Sequence, residues 1–302
     1  MSRRTIKHLL MLPLAALLVV PLAAFSTATA EPPEPDGAPE RTLRAMTYNI
    51  AHGRGLDGDV SLHRIAHVIR ETGAEVIALQ EVDKHWSTRS DFRDQLDELA
   101  QMLDMHAFYG PIYSFPPDYD PEDPEGGIPH PEGLGDREYG LAILSAHPIV
   151  QAENHEITRF ARRGEPPFEP KLWPGFPEAV VNVQGAHVRV FSTHLQAGME
   201  DVRETQVDDM LEIVGDDDRP ALLMGDLNAE PDWPDIGPLF ETFDDVWPIA
   251  GSGDGYTFRA DDPFRRIDYI LVSPGVEVEH AEVIESDASD HFGVVADLTI
   301  PR

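Results

Sequence analysis

Six short segments in this chain share one pattern, and the pattern asks for a sheet with a polar edge. They are Thr47-Tyr48-Asn49-Ile50, Leu79-Gln80-Glu81-Val82, Ser192-Thr193-His194-Leu195, Gly225-Asp226-Leu227-Asn228, Arg266-Ile267-Asp268-Tyr269-Ile270 and Ser289-Asp290-His291. Each puts a polar residue where a hydrophobic run stops. A strand that ends in Asn, Glu, Asp or His delivers that side chain to one edge of its sheet. Six such deliveries can build one site of oxygen and imidazole groups, and oxygen ligands of that kind suit a hard divalent cation such as Mg²⁺ or Mn²⁺.

The runs between these segments set the fold class. Strands are expected at Leu43–Ile50, Val76–Leu79, Leu141–Ser145, Ile149–Ile157, Ala179–Val183, Val188–His194, Ala221–Gly225, Ile267–Val272, Val276–Ile284 and Phe292–Ile300. Helical spacing of apolar residues appears in Val60–Glu71, with Gly73 as its C-terminal cap, and again in Phe92–Met105 and Met199–Val214. Many closely spaced strands with few helices predict an α/β fold of two packed, mostly antiparallel sheets with helices outside, not one doubly wound sheet. Residues 111–137 and 165–177 are rich in Pro, Gly and acidic residues, with aromatics interspersed. They are expected as surface loops bordering the site, with disorder as the alternative for the first.

Residues 1–30 have a signal-peptide layout. Arg3, Arg4 and Lys7 precede an apolar stretch from Leu9 to Ala24, and Ala28-Thr29-Ala30 is a small-residue cleavage site. The start also resembles a twin-arginine export signal; an uncleaved N-terminal anchor is the other reading. The apolar run is short for a span and contains Pro13 and Pro21, so no stable membrane span is expected. Residues 31–42 read as a flexible linker and 43–302 as a single large domain, expected to be monomeric and secreted. The absence of cysteine excludes thiol chemistry and a disulfide scaffold.

Removal of the signal segment takes three of the 23 basic residues and none of the 55 acidic ones, leaving 20 against 55, a balance of −35. Such a surface repels polyanions at long range, which disfavours nucleic acid as the habitual substrate without excluding it. Adaptation to salt or plain solubility explains the charge equally well.

Taken singly, the polar residues admit two readings each. Glu81 closes a buried run, where a carboxylate is costly without a cation or a hydrogen-bond partner. Asn49 could orient a metal or be an ordinary turn residue. Asp226 and Asn228, two apart, would project to one side of an extended chain and hold a water, or form an Asx-type turn. His194 and His291 could contact a phosphate or move a proton, or be structural, and Asp268 is a natural partner to orient one of them. Asp290 could be a second carboxylate to the metal. No His-Glu-x-x-His motif or Cys/His cluster points to zinc.

In order, these segments together with Gly140-Leu-Ala-Ile-Leu-Ser-Ala-His-Pro-Ile149 resemble the motifs of the endonuclease/exonuclease/phosphatase superfamily, over about residues 43–299. The resemblance implies a four-layer α/β/β/α sandwich and Mg²⁺-dependent cleavage of phosphate esters, with Mn²⁺ or Ca²⁺ as alternatives. It implies Glu81, with Asn49 and Asp290, at the metal; Asp226 as the residue that aligns and activates water; and Asn228 as its phosphate-orienting neighbour. His194 and His291 would be the phosphate-binding and acid/base histidines, with Asp268 as the orienter. Tyr139 falls near a position where some members place a phosphate-contacting tyrosine, and Arg89 is by analogy a substrate contact or else a solvated surface residue. Some members carry an acidic residue two places after the first-strand Asn; here it is Ala51, followed by His52, so a one-metal or a two-metal site is open. The expected activity is hydrolysis of a small or lipid-linked phosphate ester. An extracellular nuclease and a non-catalytic binding protein on the same scaffold are the alternatives.

Overall fold

The computed structural model describes residues 41–120, 122, 129–159 and 171–301. The expected export segment and the linker up to residue 40 lie outside the described residues. The order of elements is β1 (Arg41–Asn49), α1 (Leu62–Thr72), β2 (Val76–Lys84), α2 (Gln95–Leu103), β3 (His106–Phe115), β4 (Arg137–Ser145), β5 (Ile149–Glu156), β6 (Lys171–Leu172), β7 (Gly175–Val183), β8 (Ala186–His194), α3 (Glu200–Val214), β9 (Ala221–Asp226), α4 (Gly237–Thr242), β10 (Asp244–Asp245), α5 (Val246–Ala250), β11 (Asp268–Val272), β12 (Glu277–Ile284) and β13 (Gly293–Ile300).

The strands form two mixed sheets. One runs β12-β13-β1-β2-β4-β3-β6 and the other β10-β11-β9-β8-β7-β5. Among the described residues only β1–β2 and β8–β9 pair in parallel; the other pairs are antiparallel. The two sheets close on a shared core in which Leu43, Ala45, Val76 and Ala78 of the first meet Val188, Val190, Leu222, Met224 and Ile270 of the second. The opposite face of the first sheet packs Met46, Tyr48, Ile77 and Leu79 on Ile65, Ile69 and Leu99 of α1 and α2. The opposite face of the second packs Phe191, Leu223 and Tyr269 on Val207 and Met210 of α3 and Leu239 of α4. The result is the expected four-layer sandwich.

Capping chemistry places the helix ends. Ser61 accepts a hydrogen bond from the Arg64 amide and starts α1, two residues later than the apolar spacing alone predicts, because Val60 is still extended and bridged to Arg54. Gly73, with φ 67°, ends it. Asp91 and Phe92 hold positive φ, so α2 begins only after Asp94, which caps it through the Asp97 amide. Loss of the Ser61 cap in Ser61→Ala is expected to cost about 1 kcal/mol, read as a lower urea midpoint at unchanged slope.

Strand parity explains the site. The core-facing residues of β1 are Leu43, Ala45, then Asn49; of β8, Val188, Val190, then His194; of β9, Leu222, Met224, then Asp226; of β11, Val272, Ile270, then Asp268. Side chains two apart share a face, so each ladder ends with a polar group at one edge of the cleft between the sheets.

Glu81 breaks this rule. Its parity matches Ile77 and Leu79, which face the helices, and β2 does not stop there but runs on to Lys84. A bulge corrects it: Leu79 pairs with Ala142 and Val82 with Gly140, so Gln80 and Glu81 together oppose Leu141. Glu81 takes φ 58° at the bulge, which turns its side chain into the cleft while Val82 returns to the helix side.

Two expected loops are partly strand. In 111–137, β3 continues through Phe115, and Ile112, Phe115 and Tyr119 pack with Trp86, Tyr139 and Leu141 as a buried cluster. In 165–177, Lys171–Leu172 pairs with β3, and Phe176 in β7 stacks on Phe191 at 5.1 Å. The aromatics that looked like rim groups are largely core.

Candidate active site

The central strand of the site is β9. Asp226 lies between His194, its parallel partner on β8, and Asp268, its antiparallel partner on β11. Gly225 makes this spacing possible: a Cβ there would sit 2.0 Å from the Thr193 carbonyl oxygen.

One carboxylate oxygen of Asp226 faces Asn49 and both histidines. Its Oδ2 accepts from Asn49 Nδ2 at 3.2 Å and lies 3.5 Å from His194 Nε2 and 3.8 Å from His291 Nε2. The other oxygen, Oδ1, accepts from the Asn228 amide at 2.8 Å. This is the Asx-type turn that the sequence left open. Asn228 therefore does not continue an extended chain; its φ is 50°, and its side-chain amide donates to the Leu195 carbonyl at 3.0 Å while it lines the cleft. The turn uses one oxygen and leaves the other facing the cleft.

His291 precedes β13. Its Nδ1 lies 2.9 Å from Asp268 Oδ2, and its backbone amide donates to Ser289 Oγ, whose hydroxyl donates to the Asn49 carbonyl at 2.7 Å. Burial alone would push the His291 imidazole down, but Asp268, Asp226 and Asp290 outweigh it and hold its pKa at about 10. With Nδ1 committed to Asp268, the cation presents its Nε2–H to the cleft. Burial and the facing Asp268 carboxylate raise the pKa of Asp226 against the opposing charges of both histidines. Burial likewise pushes the Glu81 carboxyl up, but His194, His291 and the Asn49 amide reverse the balance and leave it below its ordinary value.

Asn49, expected at the metal, also sets the spacing of its neighbours. Its Oδ1 accepts from the Ala51 amide at 3.1 Å, which fixes the amide orientation, and its Nδ2 donates to both Glu81 Oε1 (3.3 Å) and Asp226 Oδ2 (3.2 Å). It holds two carboxylates side by side. Asp290 is exposed and Tyr139 buried, and both line the same cleft, a cavity of about 400 Å³. Tyr139 stacks on Tyr113 at 5.1 Å.

Arg89 belongs elsewhere. It makes a bidentate pair with the fully buried Asp83 (2.8 and 2.7 Å), donates to Glu122, and covers the Trp86 ring. It is neither a substrate contact nor a solvated arginine, and it fixes the turn after β2.

The donor set fits a hard divalent cation. Glu81, Asp226 and Asp290 bring carboxylates to the cavity and Asp268 stands behind them, against only two imidazoles. Asp226, Asp268 and His291 also bring potential ligand atoms within 4.8 Å of one another. Two carboxylates sharing one amide donor have unused oxygen lone pairs, which a cation would satisfy. Glu81 and Asp290, with Asp226 adjacent, would hold it.

Among the polar and aromatic groups of the cavity, four carried no sequence signal: Arg159, Gln196, Phe258 and Arg265. Each sits in a connecting segment, outside any hydrophobic run that stops on a polar residue.

A sequence profile of the Endonuclease/Exonuclease/phosphatase family matches residues 46–291. The chain belongs to this family. Its members are hydrolases that act on phosphate esters. A solved family protein from Beutenbergia cavernae is 27% identical, with a TM-score of 0.69 over 86% of this chain and 72% of that one. A mannosyl-6-phosphatase from Bacteroides thetaiotaomicron is 18% identical (TM-score 0.61; 85% of this chain, 100% of that one). The catalytic domain of human nocturnin, solved with a bound sulfate anion, is 19% identical (TM-score 0.59; 87% and 96%). The last two are similar in fold.

Proposed function

We propose that this protein is an exported, divalent-metal-dependent hydrolase of small or lipid-linked phosphate esters, with Mg²⁺ as the expected metal and Mn²⁺ or Ca²⁺ as alternatives. The observation that carries this reading is the Asp268–His291–Asp226–His194 array at one end of the sheet-to-sheet cleft, beside Glu81.

The geometry supports a role for each group. Asp226, with its proton affinity raised and one oxygen free of the turn, orients a water and takes its proton. His291, held charged by Asp268, donates to a phosphoryl oxygen as negative charge builds there; His194 and the Asn228 amide line the same cavity for the remaining oxygens. Glu81 and Asp290 would hold the divalent cation, which would supply charge neutralisation for the phosphate. Asn49 keeps Glu81 and Asp226 at a fixed separation.

The surface charge supports a compact substrate over a polynucleotide, since a nuclease needs a basic track along the backbone. Export rests on the sequence layout of residues 1–30, with the N-terminus of the secreted protein as its check: a start near Glu31 supports it. Hydrolysis of bis-p-nitrophenyl phosphate, with and without EDTA, tests the chemistry. Release of p-nitrophenol that EDTA abolishes and Mg²⁺ restores is the expected result. A panel of plasmid DNA, sphingomyelin, inositol phosphates and mannose 6-phosphate then ranks substrates. Metal-independent turnover overturns the mechanism, and faster cleavage of plasmid DNA than of any small ester overturns the substrate class.

A further inference from the structure

Among the described residues, the enclosed arginines follow a rule with one exception. Arg89 pairs with Asp83, Arg137 with Asp120, Arg189 with Glu178, Arg203 with Asp235 and Arg266 with Asp245. Arg159, which lines the catalytic cavity, pairs with no carboxylate among the described residues. In a chain with 55 acidic residues, an arginine enclosed without one is informative, because burying an unpaired charge is costly.

The guanidinium is nonetheless placed with care. Nη1 donates to the His194 carbonyl at 3.2 Å and Nη2 to the Gly175 carbonyl, which fixes its plane beside a catalytic histidine. Nε is shut away from solvent and has no partner. Two of five N–H donors are therefore used. Gly175 makes the slot: a Cβ there would lie 2.8 Å from Nε and 2.9 Å from Nη2. Burial lowers the Arg159 pKa to about 10, as expected of a cation whose counter-charge is missing. A second guanidinium faces the same cavity. Arg265 pairs with Glu230 through Nε, but its Nη2 is buried and unpartnered.

We propose that Arg159 is the specificity residue of this cavity, binding a second anionic group of the substrate, so that the enzyme selects phosphoesters that carry two anionic centres. This rests on the phosphoester reading above. The reacting phosphate occupies the His194–His291 end, and the second oxyanion meets the remaining Nη1–H and Nη2–H donors of Arg159, with Arg265 adding positive charge. Charge-assisted hydrogen bonds to a planar guanidinium suit a phosphate or a carboxylate equally.

Non-hydrolysable probes separate binding from turnover. Propylphosphonate, 1,3-propanediphosphonate and 3-phosphonopropionate are titrated calorimetrically into the protein in saturating Mg²⁺. At least one two-headed anion is expected to bind roughly tenfold or more tightly than propylphosphonate, the gain that a single charge-assisted hydrogen bond supplies. A diphosphonate advantage assigns a second phosphate, and a phosphonopropionate advantage assigns a carboxylate. Arg159→Gln is expected to bring the ratio close to one, Arg159→Lys to keep part of it, and Gly175→Ala, which leaves the arginine but fills its slot, to reduce it. A wild type with no two-headed advantage, or an Arg159→Gln variant that keeps it, overturns the proposal. If propylphosphonate itself does not bind the wild type, the phosphoester reading falls first. If it binds and the second head adds nothing, only the role of Arg159 falls.

Discussion

Asp226→Asn is expected to lower turnover of bis-p-nitrophenyl phosphate by about 10²–10⁴-fold, the range for loss of a positioned general base, while the protein stays folded. The substitution keeps the shape of the side chain and the Oδ1 acceptor for the Asn228 amide. It removes the group that would take a proton from water. It also removes a buried negative charge set directly opposite Asp268. Relief of that like-charge pair offsets the loss of the Oδ2 acceptor for Asn49 Nδ2, so the variant's melting temperature in EDTA is expected to stay close to that of the wild type. Activity loss without stability loss separates a catalytic group from a structural one. Glu81→Ala and His291→Ala should fall at least 10²-fold by the same assay. Asp268→Asn combined with His291→Ala should be no worse than His291→Ala alone, because Asp268 acts through that imidazole. Wild-type-like turnover in folded Asp226→Asn protein would end the assignment.

Much of this site was legible because strand parity is a rule of period two. Asn49, His194, Asp226 and Asp268 continue the core-facing ladders of their own strands, so a hydrophobic run that stops on a polar residue reports the cleft edge directly. Glu81 was legible as an anomaly but not as geometry. Val82 keeps the run apolar past it, and no local residue announces that two positions will oppose one on β4. The left-handed turn at Asn228 is similarly invisible, because Leu227 reads as a continuation of the strand.

The cavity wall was the least legible part. Arg159, Phe258 and Arg265 come from segments about a hundred residues apart, and only the closure of the two sheets brings them together. The aromatic cluster failed for a different reason. Proline, glycine and acid-rich composition around Tyr113, Phe115 and Tyr119 signals a solvated loop, yet β3 runs through Pro111 by shifting its register between Pro111 and Tyr113. The rings then bury against Trp86, at centroid distances of 5.7 Å for Tyr113 and 5.8 Å for Phe115. Composition averages over a window, whereas a bulge is the property of one or two residues.

The second large effect concerns stability in acid, and it isolates one carboxylate among many. Glu178 on β7 receives Arg189 Nε at Oε1 (2.6 Å) and lies 2.7 Å from His155 Nε2 through Oε2. Arg189 also donates to the Val214 carbonyl at the end of α3, so this one carboxylate ties β5, β7, β8 and the outer helix together. Burial pushes the Glu178 carboxyl up, but His155 and Arg189 outweigh it and bring its pKa from 4.5 to about 2. A carboxyl depressed on folding stabilises the folded state above its unfolded pKa. That contribution drains away as the pH falls through 4.5 toward 2. At about 1.4 kcal/mol per pH unit, the contribution is up to about 3 kcal/mol. Glu178→Gln should therefore lose about that much near neutral pH and show a flatter decline in urea-unfolding free energy between pH 4.5 and 2. Asp217 is also held low, by Arg219, but that pair is exposed to solvent, and screening leaves it little weight. Asp217→Asn is the matched control and should keep the wild-type acid limb. Equal acid sensitivity of wild type and Glu178→Gln would place the acid-labile charge somewhere other than this three-strand junction.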